Sequence, residues 1–372
     1  MKKLFSPLLA IFLLFSASIR AEEVKQFPNI TGSVLFQAEA DRVLSSKKTG
    51  VSPNNAFFYV EPKINLNFNR NWAIKTDWRL QPNDVFTTRD PVNPERYRTF
   101  LSSDRGVGLH QTGLLIEEIK VQFENEDMKF FAGKFDPGFG TANNKTKRIG
   151  VFTSQFTEDY NLREKIGAGI SALLENSKVT VNTFFNDTTG LSESALNNRG
   201  RADRKNGQAG NTGTLSSYSV SMSGQNFVGI DDWIYNIGYR SLGVDNITGR
   251  KREKGYVFGT EYAYQIAENT TLIPFFEAVK INNFTGEEGR NAIYTTTALI
   301  AKYSSWTASA SILTRSIKQR QRTSNISDNQ LQLSVGYKFT DNLTLDVTRS
   351  NLKEDGYKAS LIGMKVSYLY KF

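Results

Sequence analysis

Ile362-Gly363-Met364-Lys365-Val366-Ser367-Tyr368-Leu369-Tyr370-Lys371-Phe372 closes the sequence. Side chains alternate across an extended strand, so Ile362, Met364, Val366, Tyr368, Tyr370 and Phe372 share one face. Gly363, Lys365, Ser367 and Lys371 share the other, and only Leu369 breaks the pattern. One oily face and one wet face predict a strand set between an apolar medium and water.

The opposite end carries a different signal. Met1-Lys2-Lys3 is a basic start, Leu8 to Phe15 an apolar run, and Ala17 to Ala21 a small-residue region. That order predicts a secretory signal peptide over residues 1–21. Ile19 is an imperfect residue at the third position before the cut. Nothing later approaches the run of ~20 apolar residues that a spanning helix needs. Export without such a helix leaves a soluble exported protein or a barrel that crosses with strands.

Composition narrows the choice. Hydrophobic residues make up 39% of the chain, yet aromatics reach 12%, with 26 Phe and 15 Tyr. A polar lumen with aromatic girdles at both interfaces accounts for that combination. The absence of Cys excludes a disulfide scaffold and thiolate chemistry. The formal charge of +9 falls to +6 once Lys2, Lys3 and Arg20 leave with the signal peptide. An exported basic chain is not expected to meet nucleic acid.

Alternation continues through the chain. Ile30, Val34 and Phe36 share a face, as do Phe58, Val60, Ile64, Leu66 and Phe68, then Trp72, Ile74, Trp78 and Leu80, then Leu115, Ile119, Val121 and Phe123. A fifth strand ends near Phe135. Further strands are expected over 164–174, 177–186, 214–224, 231–243, 255–267, 270–282, 291–303, 305–317, 328–340, 342–350 and 357–372. The total is about 16, each long enough to cross a bilayer at a tilt (~9–11 residues). Short connections at 69–71, 124–127, 175–176, 267–270, 304 and 341 alternate with long ones at 41–54, 81–108, 136–163, 187–213, 244–254 and 318–327. The connections 225–230 and 283–290 are less polarised. Sorting by parity is expected of a barrel in an asymmetric membrane, with both termini on the short-turn side. Residues 22–372 are therefore read as a single all-β domain, a transmembrane antiparallel up-and-down β-barrel.

Chemistry is hard to place on this chain. Its one histidine, His110, lies at a strand end with no nucleophile motif beside it, and no metal-ligand spacing or phosphate loop occurs. The reading is a non-enzyme without a cofactor or metal. Glu117-Glu118 requires that one carboxylate face lipid, unless it lies near an interface or a bulge shifts the register. Inward-facing cations are the better functional candidates: Lys63, Lys75, Arg79, Lys120, Arg315 and Lys365 are predicted to line the lumen wall, where fixed charge biases permeation.

The terminal strand, ending on Phe372, resembles the closing strand of bacterial outer-membrane β-barrels. The resemblance implies that Tyr368, Tyr370 and Phe372 form the signal read by the outer-membrane assembly machinery. The whole mature chain looks like a general bacterial porin of about 16 strands. Gly133-Lys134-Phe135-Asp136-Pro137-Gly138-Phe139-Gly140 is similar to a segment of phosphate-selective and related porins. In porins the third loop folds inward and narrows the channel. Carried over, this places Lys145, Lys147 and Arg148 at the constriction, with Asp136, Glu158 and Asp159 as acidic counterparts. The function implied is passive diffusion of small hydrophilic solutes with mild anion preference, in a homotrimer that meets lipid and lipopolysaccharide and is latched by the 81–108 loop. The alternatives are a channel specific for phosphate, sugar or siderophore, and an adhesion or assembly barrel with an occluded lumen.

Overall fold

A computed structural model of the protein describes residues 26–82, 100–101, 108, 112–145, 149–201, 208–245, 250–318 and 325–372. The expected signal peptide, residues 1–21, lies outside them. Among the described residues eighteen strand segments form one antiparallel sheet. They are β1 (Asn29–Ser46), β2 (Asn54–Asn67), β3 (Trp72–Pro82), β4 (Thr112–Glu124), β5 (Met128–Phe135), β6 (Lys165–Leu174), β7 (Ser177–Asn186), β8 (Ala195–Leu196), β9 (Ser217–Gly224) and β10 (Trp233–Leu242). Then follow β11 (Glu253–Tyr262), β12 (Tyr264–Ala267), β13 (Thr270–Asn282), β14 (Asn291–Tyr303), β15 (Trp306–Lys318), β16 (Ile326–Lys338), β17 (Leu343–Glu354) and β18 (Tyr357–Lys371). Since β8 is a two-residue bridge within a long loop and β12 continues β11 past Ala263, the sheet has sixteen staves.

The quoted terminal strand closes the barrel. β18 pairs with β1 from Ser33↔Lys371 to Ser46↔Ala359, and the amide of Phe372 donates to the carbonyl of Gly32 at 3.1 Å. Full closure leaves no unpaired edge, which is how a sheet survives in lipid. Ile362 and Met364 are exposed on the outside, while Gly363, Lys365 and Ser367 are buried inside, as the alternation requires. Aromatic contacts ring the short-turn end: Trp72 with Phe123 at 5.1 Å, Trp306 with Tyr337 at 4.7 Å, and Tyr370 stacked on Phe372 at 6.0 Å. Tyr218, Tyr239 and Tyr256 form a matching group near the long-loop end, with centroids 5.9 and 5.2 Å apart.

One predicted face is corrected. Asp77 pairs with Glu118 but Trp78 pairs with Ile116, so Glu117 is the extra residue of a β-bulge. The bulge turns Glu117 inward along with Glu118. It also places Leu115 inside at 1% exposure, on the face opposite to Ile119, Val121 and Phe123.

The main hydrophobic cluster lies inside the barrel. Inward-facing Leu242, Val257, Val279, Ile281, Leu313, Leu352 and Leu361 pack against Phe139, Val151, Phe152, Phe156 and Leu162 of the segment 136–164, which is the third long loop. A second cluster sets Ala142 and Ile149 of this loop against Ile273, Phe275 and Ile300. Burying that apolar surface is what holds the segment to the inner face of β10–β18.

Candidate functional site

The third long loop leaves β5 through the motif noted in the sequence. Pro137 donates no amide, which ends the β5 ladder. Gly140 sits at φ +81°, and a Cβ there would lie 3.1 Å from the Glu277 carboxylate, so the position suits glycine. The next two amides, of Thr141 and Ala142, both donate to Glu277 on β13, which also accepts the Tyr160 hydroxyl at 2.7 Å. Further along, the Ile149 carbonyl accepts from Ser309 at 2.8 Å. The Val151 amide donates to Thr348 and the Phe152 amide to Gln332, each at 3.1 Å. These partners lie on β13, β15, β16 and β17, across the lumen from the loop's own strands β5 and β6.

Arg315 fastens the same segment. Its guanidinium reaches Asp159 of the loop at 2.9 Å, Asp328 at 2.6 Å and Glu354 at 3.7 Å, with Phe156 stacked on its face at 4.6 Å. Glu354 in turn accepts the Phe100 and Leu101 amides at 2.9 and 2.8 Å. Two of the sequence-based site assignments therefore need correction. Arg315 is buried beneath the loop and Asp159 on the loop's wall-facing side, and neither lines an open lumen. Sequence reading placed Arg315 on the inward face correctly but had no means of knowing that the loop covers it.

The wall that the loop leaves uncovered is charged and paired. Lys63 lies 2.6 Å from Glu61 and 3.2 Å from Asp77. Arg79 approaches Glu117 at 3.4 Å, and Lys120 meets Glu118 at 2.6 Å. Glu61, Asp77 and Glu117 were not among the residues predicted to line the lumen wall, although strand parity from Lys63 and Arg79 places Glu61 and Asp77 inward. Lys63, Lys75, Arg79, Asp77 and Glu118, with Asp136 of the loop, border a cavity of about 800 Å³. Lys365 is inward but buried at 4% exposure.

At the neck of the loop, Asp136 links Glu164 to the wall residue Glu118. The Glu164 amide donates to Asp136 at 2.7 Å, and the Asp136 amide donates to Glu118 at 3.2 Å. Arg163 bridges Glu117 and Glu158, the latter at 2.8 Å, while Lys134 lies 2.9 Å from both Glu164 and Asp187. Burial and the adjacent Glu117 carboxylate push Asp136 up to about 7, against the pull of Arg163 and Arg79. Glu164 moves the other way: burial opposes its ionisation, but Arg199 and Lys134 hold it down at about 2.

The remaining assignments are only partly visible. Lys147 and Arg148 lie outside the described residues, as does the side chain of Lys145. His110 is outside them too. Most of the 81–108 loop is likewise outside, but Phe100 and Leu101 turn back onto their own barrel, where Phe100 packs edge-on to Phe152 at 5.5 Å. Among the described residues no group of three or more His, Asp or Glu is placed to hold a metal ion.

No family model and no curated protein sequence matches the chain. Solved structures do. OprB of Pseudomonas putida superposes with a TM-score of 0.60 at 11% identity, covering 92% of this chain and 94% of its own. Salmonella typhi OmpF, solved with daunomycin, gives 0.60 at 11%, covering 92% and 97%. The outer membrane channel DcaP of Acinetobacter baumannii gives 0.56 at 12%, covering 92% and 96%. The class is thus defined by the fold: a closed sixteen-strand antiparallel barrel. That architecture is shared with OprB, OmpF and the outer membrane channel DcaP.

Proposed function

We propose that the protein is an outer-membrane diffusion channel for small hydrophilic solutes with a mild preference for anions. The observation that carries this reading is the exposure within the wall pairs. The Lys63 side chain is 52% exposed, against 8% for Glu61 and 10% for Asp77. Arg79 is 19% exposed against 1% for Glu117, and only Lys120, at 15% against 22% for Glu118, reverses the order. Water and passing ions meet the cations first, with the balancing carboxylates behind them. Because the charges are paired, the preference is weak.

Single-channel recording in a planar bilayer tests this. Steady conductance with a reversal potential on the anion side supports it, and Lys63→Glu should move that potential toward cation preference. Block that saturates with one phosphate, sugar or siderophore would instead make the channel substrate-specific, and no conductance would make it an occluded barrel. Lys145, Lys147 and Arg148 are proposed as further constriction charges, since the stretch that holds them is flanked in sequence by the wall contacts of Ala142 and Ile149. A homotrimer, contact with lipopolysaccharide, and recognition of Tyr368, Tyr370 and Phe372 by the assembly machinery complete the proposal. The inward course of Phe100 and Leu101 leaves the rest of the 81–108 loop for a latch.

A further inference from the structure

We propose that the outer face of β17, β18 and β1 binds the phosphate groups of an anionic glycolipid in the outer leaflet. This deepens the lipopolysaccharide contact proposed above by giving it a site. Arg349 pairs with Ile362 from one side and Arg42 pairs with the same Ile362 from the other, so both arginines stand on the outward face, one strand either side of β18. Both are exposed. Four residues above them, Lys353 of β17 lies directly opposite Lys358 of β18. Like charges facing each other across a ladder repel. No side-chain hydrogen bond or ion pair joins any of these four cations to another of the described residues.

Their height makes the arrangement informative. Ile362 lies six residues above Tyr368, which pairs with Phe36 and Leu343 toward the short-turn end, roughly 15 Å along the barrel axis, in an apolar band ~25 Å tall. An arginine facing bare hydrocarbon at that depth is costly, and its long stem lets it reach upward instead. On β11 and β12 the band is continuous: Tyr256, Phe258, Tyr262, Tyr264 and Ile266 face outward with only Thr260 among them. On β17 it stops at Val347, and Arg349, Asn351 and Lys353 occupy the upper part. Ser360, Asn329 and Ser327 flank them with hydrogen-bonding groups on the same face. Cations on adjacent strands, no outward carboxylate among them, and neighbouring hydroxyl and amide groups match the requirements of phosphate oxygens. The hairpin tip at Asp355–Gly356 is on the long-loop side, which faces the outer leaflet.

The test uses full-length protein folded into nanodiscs, with bis-phosphorylated lipid A as the probe and native mass spectrometry as the readout. The quadruple variant Arg42→Gln, Arg349→Gln, Lys353→Gln, Lys358→Gln should bind lipid A about tenfold or more weakly. Arg42→Lys with Arg349→Lys should keep most of the binding. Lys254→Gln with Lys280→Gln, outward cations on β11 and β13, should change it less than twofold, and dephosphorylated lipid A should bind poorly to the native protein. The proposal is overturned if the quadruple variant binds like the native protein, or if the dephosphorylated lipid binds equally well. It is also overturned if Arg349→Cys cross-links efficiently between copies in outer membranes, since a second protein copy would then cover this face. Conductance recorded on the same samples reports on the channel reading and should be unaltered by the quadruple substitution, so the two proposals can fail separately.

Discussion

Replacing Glu277 with Ala should release the third long loop from the wall. Glu277 is 1% exposed and accepts four donors: the Thr141 amide, the Thr141 hydroxyl at 3.1 Å, the Ala142 amide at 3.1 Å and the Tyr160 hydroxyl at 2.7 Å. At ~1 kcal/mol net per hydrogen bond, more for a charged acceptor, the loss is about 3–5 kcal/mol. That multiplies the population with a detached loop by roughly 10²–10⁴. Asp159–Arg315 and the Ile149, Val151 and Phe152 contacts remain, so opening should be local to residues 140–145 and to Tyr160. Hydrogen exchange followed by mass spectrometry reads this directly, because the Thr141 and Ala142 amides lose their acceptor and should exchange ~10²-fold faster. Single-channel traces of the same variant should show added current noise. Glu277→Gln, which keeps one good acceptor oxygen, should fall between. Unchanged exchange in peptides covering 139–146, together with unchanged noise, would refute the idea that these bonds hold the loop.

Three further outcomes are expected. Asp136, raised to about 7, favours its neutral form in the fold, so its stabilising contribution is complete below the ordinary carboxylate range and is lost as pH rises through 7. Reversal potentials should therefore drift toward weaker anion preference between pH 6 and 8, and Asp136→Asn should flatten that drift. Deleting Phe372 should lower outer-membrane levels far more than one half-exposed ring explains, and normal levels at low expression would contradict the assembly role. Changing Lys145, Lys147 and Arg148 to Glu should shift selectivity toward cations more than the same change at Arg250, Lys251 and Arg252; equal shifts would remove the first triple from the constriction.

The barrel was legible because strand parity is a local property. β13 and β14 match the expected ranges residue for residue, and β17 starts one residue later than expected and runs four residues further, to Glu354. Parity also places Lys63, Arg79 and Arg315 inside. It fails where the backbone adds a residue, as at Glu117, since a bulge moves Leu115 to the other face without changing its neighbours in sequence. Coverage of a wall by a distant loop is not local either, so the burial of Arg315 was beyond reach. One trace of it was present: Leu272-Ile273-Pro274-Phe275-Phe276 is apolar on both parities, and a strand with an oily inner face cannot border water.

That trace explains which wall the loop covers. A segment laid on the inner face must find hydrogen-bond partners for its amides and carbonyls, and apolar contact for its side chains. The inner faces of β13 to β17 offer both, through Ser309, Ser311, Gln332 and Thr348 beside Ile273, Phe275, Ile300 and Leu313, with Glu277 and Arg315 each matched to groups on the loop. The inner faces of β2 to β4 offer Glu61, Lys63, Asp77, Arg79, Glu117, Glu118 and Lys120. Covering those would strip water from seven charges, and a buried ion pair seldom recovers that loss. The loop therefore settles on the wall that offers apolar surface and matched partners, and the wall of β2 to β4 is the one left facing the cavity. Position and selectivity then share one origin, since the charges that keep the loop away are those a permeating ion would meet.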